Sequence, residues 1–459
     1  MYDYVIVGSG VSGGRIAYEL QRGGARCLLL EAGRAFDRTS FPPDEMGYTT
    51  RMYWSGGIEV TRDGTIGLMR GKCLGGTSVL NQADLSRFDD IAIDDWHDRT
   101  GIDWLTEAEL TADYEHLDAE VVAHDVDPAF RNRNAELWID AMEKLGHDWQ
   151  PIRRSQSECR WDQGSDCLVC LGGCPRDAKQ SSLVAQIPAA VAHGLEVECE
   201  WHADHVVDHG DSVTVHGRQH DHEVEATGRR VVLAGGAFGN TAILQRSDTV
   251  AASLPHLGKG FACHPQFMTF GVYDEPVDSH KGPFQSVEAH DRKLREQGLK
   301  VENVFGPPIA VAMLLEGWGE QHHRLMKKYR HLSCFEVAIR DDNVGTIRVG
   351  RGGNMVVDKS LTAADEAKKQ AGLDFSAELH DAAGAREVIL CDTTFGLHLM
   401  GGCALGTDPA TSVVGPDFRV HGHPNLYAAD SSVFPSAPGI NPSYTIMALS
   451  LRAAKEMLR

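Results

Sequence analysis

The chain has 459 residues, 42% of them hydrophobic and 24% charged, which excludes collagen, coiled coil and wholesale disorder and implies two or three domains around a buried core. Lys and Arg total 44 against 65 Asp and Glu, a formal net charge of −21, and such acidity argues against a nucleic-acid partner. No apolar run is long enough to span a bilayer, and the first apolar stretch reads as a strand rather than a signal peptide, so a cytoplasmic location is expected.

In chain order, residues 2–7 form a short apolar run suited to a buried parallel strand. Gly8-Ser9-Gly10-Val11-Ser12-Gly13 follows at once, then a helical stretch from Gly14 to Arg22, then a second strand from Cys27 to Leu30 that ends at Glu31. This is the strand, glycine turn, helix, strand and acid of a dinucleotide site. Gly8 makes the tight turn, Gly10 lets the backbone approach a pyrophosphate, and Gly13 lets helix and strand pack closely. The helix N-terminus offers unpaired N–H groups to phosphate, and Glu31 is placed to accept from a ribose.

Further along, helices are expected at 106–120, 134–144 and 181–194, within and after a mixed stretch at 91–150. Arg229 to Leu233 reads as a strand running into Ala234-Gly235-Gly236-Ala237 and another helix. Residues 270–395 change character, with fewer glycine turns, a strand at 332–339 and charged helical stretches at 286–297 and 363–370. That block is expected to be a separate substrate-binding domain, leaving 1–269 and 396–459 to form the first. The chain carries 48 glycines, spread in short clusters, which fits tight turns against a large ligand.

Eleven cysteines cannot all pair. Seven are scattered and suit buried, reduced positions. Cys159, Cys167, Cys170 and Cys174 fall together instead. Cys167, Cys170, Cys174 and Pro175 reproduce the last three ligand spacings of the bacterial ferredoxin run, with Cys159 left to supply a fourth thiolate. A [3Fe–4S] or [4Fe–4S] cluster, a zinc knuckle and a packed loop of bare cysteines are all compatible with that pattern.

The C-terminal part carries a more specific pattern. His398-Leu399-Met400-Gly401-Gly402-Cys403 is followed by Arg419 to Gly422, Asn425 to Asp430, Gly439-Ile440-Asn441-Pro442 and a helix at 445–457. Order and spacing resemble the C-terminal signature of the glucose–methanol–choline (GMC) flavoprotein oxidoreductases. Residues 71–78 with Asn81, residues 231–244 and residues 258–265 are similar to other segments of that family. The resemblance implies an α/β fold with a Rossmann-like FAD domain built from separated segments and an inserted, sheet-containing substrate domain. It implies FAD, held by Gly8, Gly10, Gly13, Glu31, Gly75, Gly76, Thr77, Asn81 and Asp430, with Val206 near the adenine. An apolar residue in a strand is also ordinary core. The helix after Pro442 would point its N-terminus at the flavin N1/C2 carbonyl.

On this resemblance His398 is the expected catalytic base and Asn441 the donor to the substrate oxygen, for oxidation of a hydroxyl to a carbonyl. His264 and His421 are expected to be loop or structural residues. With an iron–sulfur cluster, as in some bacterial sugar dehydrogenases of the family, the enzyme would be a dehydrogenase passing electrons to a quinone, cytochrome or other acceptor. An oxygen-using oxidase and a hydroxynitrile-lyase-like enzyme are the alternatives. The substrate is expected to be a small hydroxyl compound, with specificity set by residues 270–395.

Overall fold

The computed structural model describes residues 1–157, 159, 170–342 and 344–459. Its first layer is a sheet ordered Arg419–Val420, His423–Ala428, His222–Leu233, Tyr2–Val7, Cys27–Leu30 and Glu196–Glu198. The pairs from His423–Ala428 through Glu196–Glu198 are parallel. Tyr2–Val7 and Cys27–Leu30 are mostly buried, which is why they read as continuous apolar runs. Trp201–Asp208 and Val213–Gln219 extend His222–Leu233 as an antiparallel meander. Helices Val11–Arg22 and Ser443–Leu458 pack together on this sheet, so the two ends of the chain close one core.

The second layer is a sheet ordered Glu59–Val60, Ile66–Leu68, Glu387–Gly396, Pro265–Val272, Leu332–Ile339, Leu299–Asn303, Val287–Ala289 and Trp149–Pro151. It is wider than the 270–395 block expected from sequence. Pro265–Val272 crosses the expected boundary, and strands from 59–68 and 149–151 are recruited from the other segment. The stretch at 91–150 divides accordingly. Glu107–Asp118 packs on the first domain, with Tyr114 stacked on Tyr444. Arg133–Leu145 packs on the second sheet, where Trp138 joins Phe267, Val301 and Val337.

Helix boundaries follow local chemistry. Thr106 caps Glu107–Asp118 by accepting from the Glu109 N–H, and Thr362 with Asp365 forms a capping box that starts the twenty-residue helix Ala363–Ala382. That helix runs well past the stretch expected at 363–370. Two other expectations are corrected. Only Gln186–Ala192 is α-helical within 181–194, and 286–297 is a strand, Val287–Ala289, followed by a short helix, Arg292–Glu296. Asp291 ends the strand segment and caps the helix, accepting from the N–H groups of Lys293 and Leu294.

The second sheet has two unlike faces. Phe267, Val301, Phe335, Val337 and Ile339 point to one side and pack under helices Arg133–Leu145 and Ala363–Ala382. Alternation sends Gln266, Met268, Lys300, Glu302, Glu336 and Ala338 to the other side. Glu288, Glu302 and Glu336 are register partners across three neighbouring strands. Three buried glutamates thus stand in a row on one face.

Candidate active site

A cavity of about 680 Å³ runs between the first glycine turn and the C-terminal segment. The three glycines of the turn have separate tasks. Gly8 has φ +101°, and a Cβ there would lie 2.3 Å from the Ala234 carbonyl oxygen. A Cβ on Gly13 would lie 1.8 Å from the Gly8 oxygen, so this glycine permits the close approach of helix and turn. A Cβ on Gly10 would meet nothing within 4 Å. Gly10 faces the cavity, at the N-terminus of Val11–Arg22, where N–H groups lack helical partners.

Glu31 lines the cavity but its carboxylate is already engaged. Oε2 accepts from Ser9 N–H at 3.1 Å and Ser9 Oγ at 2.5 Å, and Oε1 accepts from Gly33 N–H at 2.7 Å. It braces the turn and retains lone pairs toward the cavity. Burial pushes its pKa up. Ser9 Oγ also accepts from Gly75 N–H at 2.8 Å, which clips the two glycine loops together. Gly75 therefore acts from behind the wall, while Gly76, Thr77 and Asn81 line the cavity.

Asp430 lines it too, accepting from Gly236 N–H at 2.6 Å, Asn240 Nδ2 at 3.0 Å and Ser432 N–H at 2.8 Å. Pro442, Ser443 and Ile446 bring the first turn of Ser443–Leu458 to the same space. Val206 does not reach it. Its side chain is in the core of the first domain, and Trp201, His202 and Ala203 of the same strand line the cavity instead. Trp54, Phe238 and Arg246 are further wall residues that the sequence patterns did not single out. The volume, the open Gly10 position and the free helix N-termini fit a dinucleotide cofactor of the size of FAD.

His398 closes one end of the cavity. Part of its ring is open to that space, while protein encloses it elsewhere. Burial, reinforced by the Lys300 ammonium, holds its pKa down to about 3, so the ring is neutral at any working pH. Its Nδ1 lies 2.9 Å from Nδ1 of His264. His264 is buried and accepts from the Gly439 N–H at its Nε2, at 2.9 Å. Sequence reasoning read His264 as a loop or structural residue. Its place one residue before Pro265, where the second sheet enters the site, was the available signal.

Asn441 is also placed differently from expectation. Its Nδ2 donates to Asp84 Oδ2 and, at 3.3 Å, to Glu302 Oε1. Both amide hydrogens are thereby committed to carboxylates, so the amide is not free to donate to a substrate. Lys300 sits among these acids, 2.8 Å from Glu288, 3.6 Å from Asp84 and in contact with Glu302. Burial and crowding by like charge raise Glu302 to about 7 and Glu336 to about 8.

Cys167 lies outside the described residues. Cys159, Cys170 and Cys174 line one small cavity of about 40 Å³ beside Pro283 and Phe284. The segment is tied to the cavity wall at Asn81 by Lys179, whose Nζ donates to the Cys170 carbonyl at 2.7 Å and the Asn81 carbonyl at 2.9 Å. Among the described residues no helix is long and apolar enough to cross a membrane.

Comparison with known proteins agrees with this geometry. Residues 49–266 match the N-terminal and residues 351–450 the C-terminal family model described as GMC oxidoreductase. The chain is 27% identical to an uncharacterized GMC-type oxidoreductase of Mycobacterium tuberculosis, over 99% of this chain and 75% of that one. It is 24% identical to a long-chain-alcohol oxidase of Arabidopsis thaliana, over 97% of this chain and 65% of that one. Among solved structures, pyridoxine 4-oxidase from Mesorbium loti superimposes with a TM-score of 0.79, at 17% identity, over 99% of both chains. The chain belongs to the GMC oxidoreductase family and is an oxidoreductase acting on CH–OH groups, with FAD as its cofactor.

Proposed function

We propose that the enzyme oxidises a small hydroxyl compound to the corresponding carbonyl, at the end of the cavity closed by His398. The observation that supports this most directly is the continuity of the space. The same cavity is lined by the pyrophosphate turn at Gly10, by the helix N-terminus at Pro442 and by His398. Bound there, FAD supplies the acceptor for the hydride that leaves the carbinol carbon.

The residues of the chain hold the rest of the reaction in place. His398 meets the hydroxyl oxygen. The hydroxyl proton goes by a water relay to the carboxylate cluster behind Asn441, since Glu302 does not itself line the cavity; raised to about 7, Glu302 has the pKa suited to hold a proton near neutral pH. Lys300 keeps that cluster from collecting uncompensated charge. The first turn of Ser443–Leu458 presents its N–H groups where negative charge on the reduced cofactor would be stabilised.

Molecular oxygen is the proposed electron acceptor. The plant relative and the solved structural neighbour are both named as oxidases. The dehydrogenase expected from sequence, with a quinone or cytochrome as acceptor, rested on an iron–sulfur cluster, one of whose expected ligands, Cys167, lies outside the described residues. A cytoplasmic location is retained as part of this proposal.

The test is anaerobic mixing of the yellow holoenzyme with a panel of primary and secondary alcohols, followed by admission of air. Loss of the oxidised-flavin band with alcohol, and its return with air, is the expected result. Turnover of a hydroxynitrile without any flavin bleaching would instead make the protein a lyase. Iron and acid-labile sulfide in protein purified without air would return the acceptor to an external carrier.

A further inference from the structure

The contact between the two histidines contains more information than a distance. A backbone N–H can only donate, and the Gly439 N–H points at His264 Nε2 across 2.9 Å. That nitrogen must therefore carry a lone pair, and the single proton of a neutral His264 resides on Nδ1. His264 Nδ1–H faces His398 Nδ1 at 2.9 Å. His398 Nδ1 then accepts, and its own proton is left on Nε2. No other arrangement of protons on the two neutral rings satisfies both contacts. Among the described residues Nε2 of His398 has no protein partner, and His398 lines the cavity.

We propose that His264 is a positioning residue that locks His398 in the Nε2–H form, so that His398 serves the reaction as a hydrogen-bond donor to the substrate oxygen and not as its base. This rests on the reading above that His398 faces the hydroxyl. It alters the role first expected for His398. For His398 to take a proton at Nε2, both rings would have to exchange tautomers. His264 Nε2–H would then confront the Gly439 N–H, losing one hydrogen bond and leaving two buried donors opposed.

The lock is built into the backbone. His264 precedes the strand Pro265–Val272, which fixes one side of the pair in the second sheet. Gly439 has φ +70°, and Arg295 holds its carbonyl oxygen at 2.6 Å, which orients the neighbouring peptide. Arg295 is itself clamped to Asp89 at 2.8 Å. Burial that depresses both imidazoles well below their ordinary range keeps the pair neutral, so the arrangement persists across the working pH.

The ring nitrogens can be read directly. Holoenzyme labelled with ¹⁵N-histidine, with signals assigned by difference against His398→Ala and His264→Ala, should show His398 with a bare Nδ1 and a protonated Nε2, unchanged between pH 5.5 and 9. His264→Leu should keep FAD but slow flavin reduction roughly 10- to 100-fold and free the His398 tautomer. His264→Asn, which can place an amide N–H where Nδ1 was, should recover most of the rate. A protonated Nδ1 on His398 in the wild type overturns the proposal, as does a His264→Leu rate within twofold of wild type. Failure of every alcohol to reduce the wild-type flavin would refute the proposed reaction instead, and the nitrogen spectrum would still decide the tautomer.

Discussion

Gly10→Val separates cofactor binding from folding at a single atom. At Gly10 the backbone has φ −63° and ψ −162°, which a valine can adopt, and a Cβ would enter open space. Stability should therefore stay within about 0.5 kcal/mol of wild type. The added methyl groups would occupy the space in which a pyrophosphate approaches the helix N-terminus. Displacing it removes on the order of two charge-assisted hydrogen bonds, each worth about 1.5–3 kcal/mol. That is roughly 3–6 kcal/mol, or about 10²–10⁴-fold in FAD affinity. The assay is the flavin-to-protein ratio of the purified variant, with FAD titrated back by fluorescence quenching, alongside thermal melts of the apo forms. Gly13→Ala is the control, because its Cβ would collide with the Gly8 carbonyl and should lower the melting temperature of the apo protein itself. A Gly10→Val protein that purifies fully yellow, or whose apo form melts as poorly as Gly13→Ala, would show that the open position is not the pyrophosphate site.

Three further outcomes are expected. His398→Ala should retain FAD while substrate-driven reduction falls by about 10²-fold or more, the usual loss on removing a preorganised donor to a developing oxyanion, as measured by anaerobic stopped flow. The reduction rate should fall as pH drops through about 7, where Glu302 takes up its proton among Lys300, Asp84, Glu288 and Glu336; Glu302→Gln should slow reduction and flatten that profile, whereas a wild-type rate flat from pH 5 to 9 would exclude Glu302 as acceptor. Lys359→Met should destabilise the protein by about 3–5 kcal/mol in urea melts, because it strands the Asp341 carboxylate, 2.8 Å away and fully buried with it.

Most of the first domain was legible because its signals are local. A glycine turn between two apolar strands fixes the fold of residues 2–31 without help from elsewhere, and the C-terminal pattern from His398 to Pro442 marks its own site. The second sheet was harder. Its last two strands on one side, Val287–Ala289 and the edge strand Trp149–Pro151, are three residues long and pair with each other across more than a hundred positions. Nothing in either segment alone distinguishes them from loop or, at 286–297, from the charged helix that follows. The partners of His398 and Asn441 were invisible for the same reason. His264, Asp84 and Glu302 come from three separate segments, and only the packed sheet brings them to one face. Val206 was misplaced by three residues along its own strand, within the error of reading a wall position from an apolar pair.

The row of Glu288, Glu302 and Glu336 is best understood by what it costs. A carboxyl raised above its unfolded pKa stabilises the fold while protonated, below about pH 4.5, and that contribution is lost as pH rises through the folded value. For Glu302 and Glu336 the loss falls between about 4.5 and the folded values of about 7 and about 8, so at neutral pH the row weakens the fold it stands in. The opposite face of the same strands shows what stability alone favours, since Val301 and Val337 pack there against Trp138 and Leu373. One face of the sheet is therefore spent on cohesion and the other on charge. The charged side also carries Gln266, whose buried Oε1 has no partner among the described residues, and lies in line with His264 at the start of the strand. Unsatisfied or strained polar groups of this kind persist where chemistry requires them, and here they sit beside the His264–His398 pair.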